Sequence, residues 1–309
     1  APSDAMADEE RRQWKRAASQ RLLMSVDPER GNVALEGGPA IGFLSALYGS
    51  NGRGDVVLRA NDVSGLNAAW QYFLNGVNYP FLARELRPFF GVYFTPTPVE
   101  HFNLLAEWLR DTQFATGPGT RALDLGTGCG VLAFMLRQAR PDMDVVATDI
   151  NPNAVFSVRC EADRWGERRI KVLESDLFDG LENEPPFDLI VFNPPWIPEK
   201  EGSSGDNDLM RGNNYPPELF PRFLAGARRW LRPGGRLAVL FSNYAEKRNL
   251  AEGSPLAAYA EADSELSLRG VNRRSVVPAA RSKHRQTRLQ KSYGLQQDYE
   301  VELWDFEAS

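Results

Sequence analysis

From residue 121 onward, short apolar runs alternate with stretches of helical periodicity. Arg121–Leu125, Val145–Thr148, Ile170–Glu174, Asp188–Phe192 and Arg236–Phe241 read as strands. Gly130–Gln138, Asn153–Arg164 and Pro217–Leu231 read as the helices between them, the last stopped by Pro233-Gly234-Gly235. Ser254–Ala262 follows as a helix, Glu265–Gly270 as a sixth strand and Tyr299–Phe306 as a seventh. Such alternation predicts a parallel sheet covered by helices on both faces, a doubly wound α/β architecture. The run Tyr299-Glu-Val-Glu-Leu-Trp-Asp-Phe alternates apolar with polar residues and predicts a half-exposed edge strand.

The first third has a different texture. Residues 7–26 predict an amphipathic helix with Trp14, Ala17, Leu22 and Leu23 on or near one face. Residues 27–38 are rich in breakers, residues 40–48 predict a short helix, and Ser50-Asn-Gly-Arg-Gly54 a turn. The aromatic density of residues 66–87 (Trp70, Tyr72, Phe73, Tyr79, Phe81) points to packing rather than to a substrate platform. These features predict a small, mainly helical N-terminal domain over residues 1–88, and the sheet domain over residues 89–309. Between them, Pro96 and Pro98 impose an extended path, and Thr95 or Thr97 is placed to cap a helix over Val99–Leu109.

Composition narrows the class. A net charge of -5 argues against a protein that coats nucleic acid with its whole surface. Two cysteines, Cys129 and Cys160, make no disulfide framework and point to a reducing, cytoplasmic compartment. Two histidines, His101 and His284, disfavour a zinc site, so no metal is expected. No apolar run of about 18 residues predicts a membrane span. The polar Asp8-Glu9-Glu10-Arg11-Arg12 does not read as a secretion signal.

The chemistry concentrates at the predicted strand ends. Gly126, Gly128 and Gly130 form a G-x-G-x-G turn between the first strand and its helix. Glycines let backbone approach a ligand, and the helix start beyond offers free N–H groups. A dinucleotide fingerprint would need glycine at Val131, so a nicotinamide cofactor is disfavoured. Asp124 precedes the turn, placed to accept from an ammonium or a water. Asp149 closes the second strand, 23 residues after Gly126, where such folds place an acid on the ribose hydroxyls. Asp176 closes the third strand, followed by Leu177. After the fourth strand comes Asn193-Pro194-Pro195-Trp196. The prolines fix the backbone, so the Asn193 side-chain oxygen and the Pro194 carbonyl form a rigid pair of acceptors. A planar amide or exocyclic amine has two N–H donors to match, and Trp196 offers a face for stacking.

This combination resembles the class I S-adenosylmethionine-dependent methyltransferases, and within them the Asn-Pro-Pro-aromatic group. That group includes the HemK-like enzymes, which methylate a glutamine side chain, and enzymes that methylate nucleobase amino groups. The resemblance covers roughly residues 89–245 and implies a Rossmann-like seven-stranded sheet. It implies S-adenosyl-L-methionine as cofactor, with the methionine moiety near Gly126, Gly128 and Gly130, ribose on Asp149, and adenine near Asp176 and Leu177. It implies an acceptor nitrogen on Asn193 and Pro194 beside Trp196, and a segment Phe94-Thr95-Pro96 that closes over the cofactor. HemK-like enzymes usually carry Tyr where this chain has Trp196.

Acceptor identity stays open at this level. A protein glutamine amide leads, followed by an RNA or DNA amino group, a small molecule, and a non-catalytic scaffold that only binds cofactor. The acid-free stretch between Glu265 and Asp298, with Arg269, Arg273, Arg274, Arg281, Lys283, Arg285, Arg288 and Lys291, is either a phosphate-binding patch or a solvated loop. Residues 199–216 read as a long polar loop beside Trp196. Phe241-Ser-Asn243-Tyr244 is expected to border the acceptor pocket, His101 to lie on a helix surface or between domains, and Cys129 to be packing.

Overall fold

The computed structural model describes residues 14, 18–49, 56–95, 99–112, 117, 119–199, 214–262, 265–276 and 299–309. These belong to two units, Ala1–Val77 with Arg87–Phe90, and Asn78–Leu86 with Gly91–Ser309.

In the first unit the helix predicted over residues 7–26 gives way at Leu23 to a strand, β1 (Leu23–Asp27). It pairs antiparallel with β2 (Asn32–Val33) on one side and β3 (Val56–Arg59) on the other. Leu22 and Leu23, expected on the apolar face of a helix, are both exposed, and Val26 enters the core instead. Two helices complete the unit, α1 (Phe43–Tyr48) and α2 (Ala60–Asn75). A three-stranded sheet thus accompanies the expected helices. Phe43 is the centre of the packing. Its ring meets Trp70, Phe73 and Phe89 edge-on at 5.0, 5.2 and 4.8 Å. Gly42 makes this possible, since a Cβ there would lie 2.4 Å from the Trp70 ring. The aromatic run predicted as packing is packing at Trp70 and Phe73.

The second unit opens with α3 (Glu100–Asp111) and then alternates: β4 (Arg121–Leu125), α4 (Val131–Ala139), β5 (Asp144–Asp149), α5 (Pro152–Trp165), β6 (Ile170–Glu174) and β7 (Phe187–Phe192). Two short strands, β8 (Ile197–Pro198) and β9 (Asn214–Tyr215), pair with each other in parallel. There follow α6 (Leu219–Trp230), β10 (Leu231–Ser242), α7 (Tyr244–Lys247), α8 (Pro255–Ala262), β11 (Leu266–Ser275) and β12 (Glu300–Ala308). The seven long strands form one sheet in the order β11-β12-β10-β7-β4-β5-β6. The five from β10 to β6 are parallel, and β12 runs antiparallel to both β10 and β11. The strand order reverses between β4 and its neighbours β5 and β7, so a crevice opens at their carboxyl ends.

One strand differs from expectation. β12 lies between β10 and β11, so it is an interior strand, and β11 takes the edge. Glu302 and Asp305 on β12 are buried rather than solvated because each has a built partner. Asp305 accepts from Trp108 Nε1 at 2.8 Å and from the Arg236 guanidinium. Glu302 accepts from Arg273 at 2.8 Å and from Trp304 Nε1 at 2.7 Å. The alternation correctly marks a strand, but buried ion pairs imitate a solvent face.

Candidate active site

The site is assembled where β4, β5 and β7 end. Gly126, Gly128 and Gly130 have φ of +64°, +53° and +90°, which side chains rarely adopt. Space is tight as well: a Cβ on Gly128 would lie 3.0 Å from the Tyr93 carbonyl oxygen, and one on Gly126 3.1 Å from the Phe192 ring. The turn is bound to the next strand, since the Thr127 N–H donates to the Thr148 carbonyl at 2.7 Å.

Two aspartates fix this turn from either side. Asp124 is fully buried, and its Oδ2 accepts from Thr127 Oγ1 at 2.6 Å and from the Ala133 N–H at 2.9 Å. Its Oδ1 has no hydrogen-bond partner among the described residues. Burial pushes its carboxyl up to about 7, with the two donors opposing and the charge of Asp149 adding to the rise. Asp149, at the end of β5, accepts from the Gly128 N–H at 2.8 Å through Oδ2 and from the Asn151 N–H at 2.9 Å through Oδ1. Burial raises its carboxyl too, against those backbone donors. Asn151 then caps α5 by accepting from the Asn153 N–H, and its own Nδ2 donates to the Gly91 carbonyl at 2.9 Å. The extended segment ending at Thr95 is thereby tied to the strand ends. Thr95 does not cap α3, whose N-cap residue is Val99 with no side-chain cap, and Thr97, the other candidate, lies outside the described residues.

Asp176 behaves differently. It is about half exposed and pairs with Arg222 of α6 at 3.0 Å. The next residue, Leu177, has φ of +51°, and its carbonyl accepts from Ser175 Oγ at 2.8 Å. A cavity of about 230 Å³ opens beside Leu177 toward Arg222, Arg229 and Trp230. It contains none of the glycine turn or of the Asn-Pro-Pro-Trp motif.

At the end of β7, Asn193 Oδ1 is buried with no hydrogen-bond partner among the described residues, and so is Trp196 Nε1. Pro194 between them is buried. The pairing of Ile197-Pro198 with Asn214-Tyr215 pins the chain just beyond Trp196, and the loop residues 200–213 lie outside the described residues. His101 is not on a helix surface. It is 1% exposed, with its ring edge-to-face with Trp196 at 5.1 Å and 84°. Burial drives its imidazole down to about 3, so it is neutral.

The sequence pattern does not single out Tyr93 and Tyr299. Both hydroxyls are raised by burial, that of Tyr299 to about 12, with Glu100 and Tyr244 adding to the rise at Tyr299. Tyr244, named as a border residue, meets Tyr299 edge-on at 5.2 Å. The aromatic run around residue 93 was the available signal. Cys129 is buried 3.9 Å from the Tyr79 hydroxyl, and burial pushes its thiol up to about 12, so it is packing rather than a nucleophile. Among the described residues, no group of three or more His, Cys, Asp or Glu is placed to hold a metal ion.

The sheet order is that of the Rossmann-like seven-stranded methyltransferase fold, with the glycine turn and the acids at its strand ends. Residues 102–254 match the model of the methyltransferase small domain family. The release factor glutamine methyltransferase of Salmonella typhimurium is 35% identical over 38% of this chain and 45% of its own length. That of Deinococcus radiodurans is 40% identical over 32% of this chain and 33% of its own. A tRNA1(Val) (adenine(37)-N6)-methyltransferase of Glaesserella parasuis is 34% identical over 44% and 57%. The chain thus spans about half or less of the length of these curated relatives.

Proposed function

We propose that this chain is an S-adenosylmethionine-dependent N-methyltransferase acting on a planar amide, with a protein glutamine side chain as the acceptor. The observation that carries the reading is Asn193 Oδ1, a buried acceptor with no partner among the described residues, at the end of the strand beside the glycine turn. A buried acceptor left unmatched is costly unless a ligand supplies the donor.

The residues fit the cofactor. The backbone N–H groups of Gly128 and Asn151 orient the Asp149 carboxylate and leave it lone pairs for the two ribose hydroxyls. Gly126, Gly128 and Gly130 keep the turn free of side chains for the methionine moiety, with Asp124 beneath them and Thr95 on the covering segment. Leu177 offers its apolar side chain to the adenine, and Asp176, held by Arg222, lies beside it. The bound cofactor supplies an electrophilic methyl group on a sulfonium. Asn193 Oδ1 and the Pro194 carbonyl accept the two amide N–H bonds, which aims the nitrogen lone pair, and Trp196 holds the amide plane by stacking. This is positioning, and the nitrogen sheds its proton after transfer. In this reading residues 1–88 select the acceptor and residues 89–309 bind the cofactor. The reducing cytoplasm is the compartment, supported by Cys129 and Cys160 both being free thiols.

The adenine-methylating relative keeps a nucleobase acceptor as the second reading. The described part of the basic stretch favours the amide. Arg269, Arg273 and Arg274 are each engaged by a carboxylate, of Glu307, Glu302 and Glu107. Residues 281–291 lie outside the described residues. The test is transfer of labelled methyl from S-adenosylmethionine into a fractionated lysate, comparing the native protein with Asn193→Ala. Label in protein that disappears in the variant, with cofactor affinity kept, supports the reading. Label in RNA or DNA moves the acceptor to a nucleobase, and label in small molecules to the third alternative. No label with cofactor still bound leaves the scaffold.

A further inference from the structure

His101 is the buried titratable residue that the reaction above leaves without a task. It stands in the first turn of α3 and is 1% exposed. Neither ring nitrogen has a hydrogen-bond partner among the described residues. Core histidines that serve packing alone normally satisfy at least one nitrogen. Its ring neighbours are Phe102, with centroids 3.9 Å apart, and Trp196, edge-to-face at 5.1 Å. The Trp196 indole N–H is itself buried and without a partner among the described residues. Two polar rings thus face each other in one place, and each leaves its hydrogen-bonding groups unmatched. A phenylalanine would fill the same space with no polar group to bury.

Two roles are excluded by burial. His101 is too enclosed to touch an acceptor, and being neutral it is not a cation stacked on the indole. What remains is the contact itself. Edge-to-face pairs set the angle between two rings, because the electropositive edge of one is attracted to the electron-rich face of the other. Ring N–H groups strengthen such an edge.

We propose that His101 is a positioning residue that fixes the plane of the Trp196 ring, and through it the plane of the methyl acceptor. This rests on the reading of Trp196 as the acceptor's stacking face. The segment that carries His101 also explains why the ring is placed firmly. α3 is anchored to the sheet by Trp108 Nε1 on Asp305 at 2.8 Å and by Glu107 on Arg274 at 2.8 Å.

The chain has seven tryptophans, so a nitrogen-labelled sample has seven indole N–H resonances, and Trp196→Phe identifies one of them. His101→Phe keeps the ring and removes both nitrogens, and His101→Gln keeps polarity and removes the ring. The proposal expects the Trp196 resonance to move in both variants while the other six stay in place. It also expects methyl incorporation into lysate protein to fall by about tenfold in the variants, with S-adenosylmethionine affinity unchanged. In a Trp196→Phe background the same His101 substitutions should cost almost nothing further. A Trp196 resonance that stays in place overturns the proposal, as does an equal fall in both backgrounds, or a moved resonance with undiminished transfer. Native protein that transfers no methyl to protein overturns the acceptor reading and the proposal with it, whereas native transfer with an unmoved resonance overturns the proposal alone.

Discussion

The Gly128 N–H donates to Asp149 Oδ2 at 2.8 Å, so the glycine turn after β4 and the acid that ends β5 are one hydrogen-bonded unit. Gly128 holds φ of +53° with the Tyr93 carbonyl where a side chain would be, and Asp149 is oriented from its other oxygen by the Asn151 N–H. The carboxylate has little freedom to lose when a ligand arrives, which is the condition for a hydroxyl pair to bind it well.

Asp149→Ala removes the acceptor for Gly128 and, in the proposed reading, the acceptor for the ribose hydroxyls. The expected result is a loss of about 10- to 100-fold in S-adenosylmethionine affinity, from a charge-assisted hydrogen bond worth about 1.5–3 kcal/mol. Calorimetric titration checks it. Unchanged affinity would remove Asp149 from the ribose role.

Asp305 on β12 is a stability prediction rather than a functional one. It is 8% exposed and holds Trp108 and Arg236, whose side chain is itself mostly buried. Asp305→Ala strands a guanidinium and an indole N–H inside the sheet, with an expected cost of about 3–5 kcal/mol. Chemical denaturation measures it. A loss below about 1 kcal/mol would mean that solvent reaches Arg236.

The same strand shows what the sequence discloses and what it hides. The parallel strands from β4 to β10 are legible because burial on both faces demands continuous apolar runs, such as Leu189-Ile190-Val191-Phe192. The glycine turn and Asp149 are legible because their chemistry is local, within one strand-turn-helix. β12 is misplaced at the edge because its Glu302 and Asp305 look solvated until Arg273, Arg236 and Trp108 arrive from distant parts of the chain. β1 is hidden for a similar reason: its partners β2 and β3 lie downstream, and nothing within residues 23–27 announces them. The burial of His101 is hidden because its contact with Trp196 spans 95 positions of sequence, between residues 101 and 196.

Two buried groups, His101 and Asp124, pull the acid–base behaviour of the fold in opposite directions, and Asp149, also raised by burial, adds to the side of Asp124. His101 falls from its ordinary 6.5 to about 3, so the unfolded chain binds a proton there that the folded one refuses. Its contribution to stability is present above about 6.5 and is lost as pH falls from there toward 3. Asp124 rises from 3.8 to about 7, so the folded chain holds the proton more tightly. Its contribution is present below about 3.8 and is lost as pH rises through 7. Over the window from about 4 to 6.5 the two slopes oppose each other, each at most about 1.4 kcal/mol per pH unit. Removing either should therefore uncover the other. His101→Phe, compared with the native protein by denaturation at several pH values, should make stability fall more steeply with rising pH in that window. Asp124→Asn should make it rise more steeply. The cofactor must be left out, because a ligand bound near Asp124 would couple its own charge to the titration. Parallel stability curves for the native protein and both variants would show that neither group keeps its shifted proton affinity in solution.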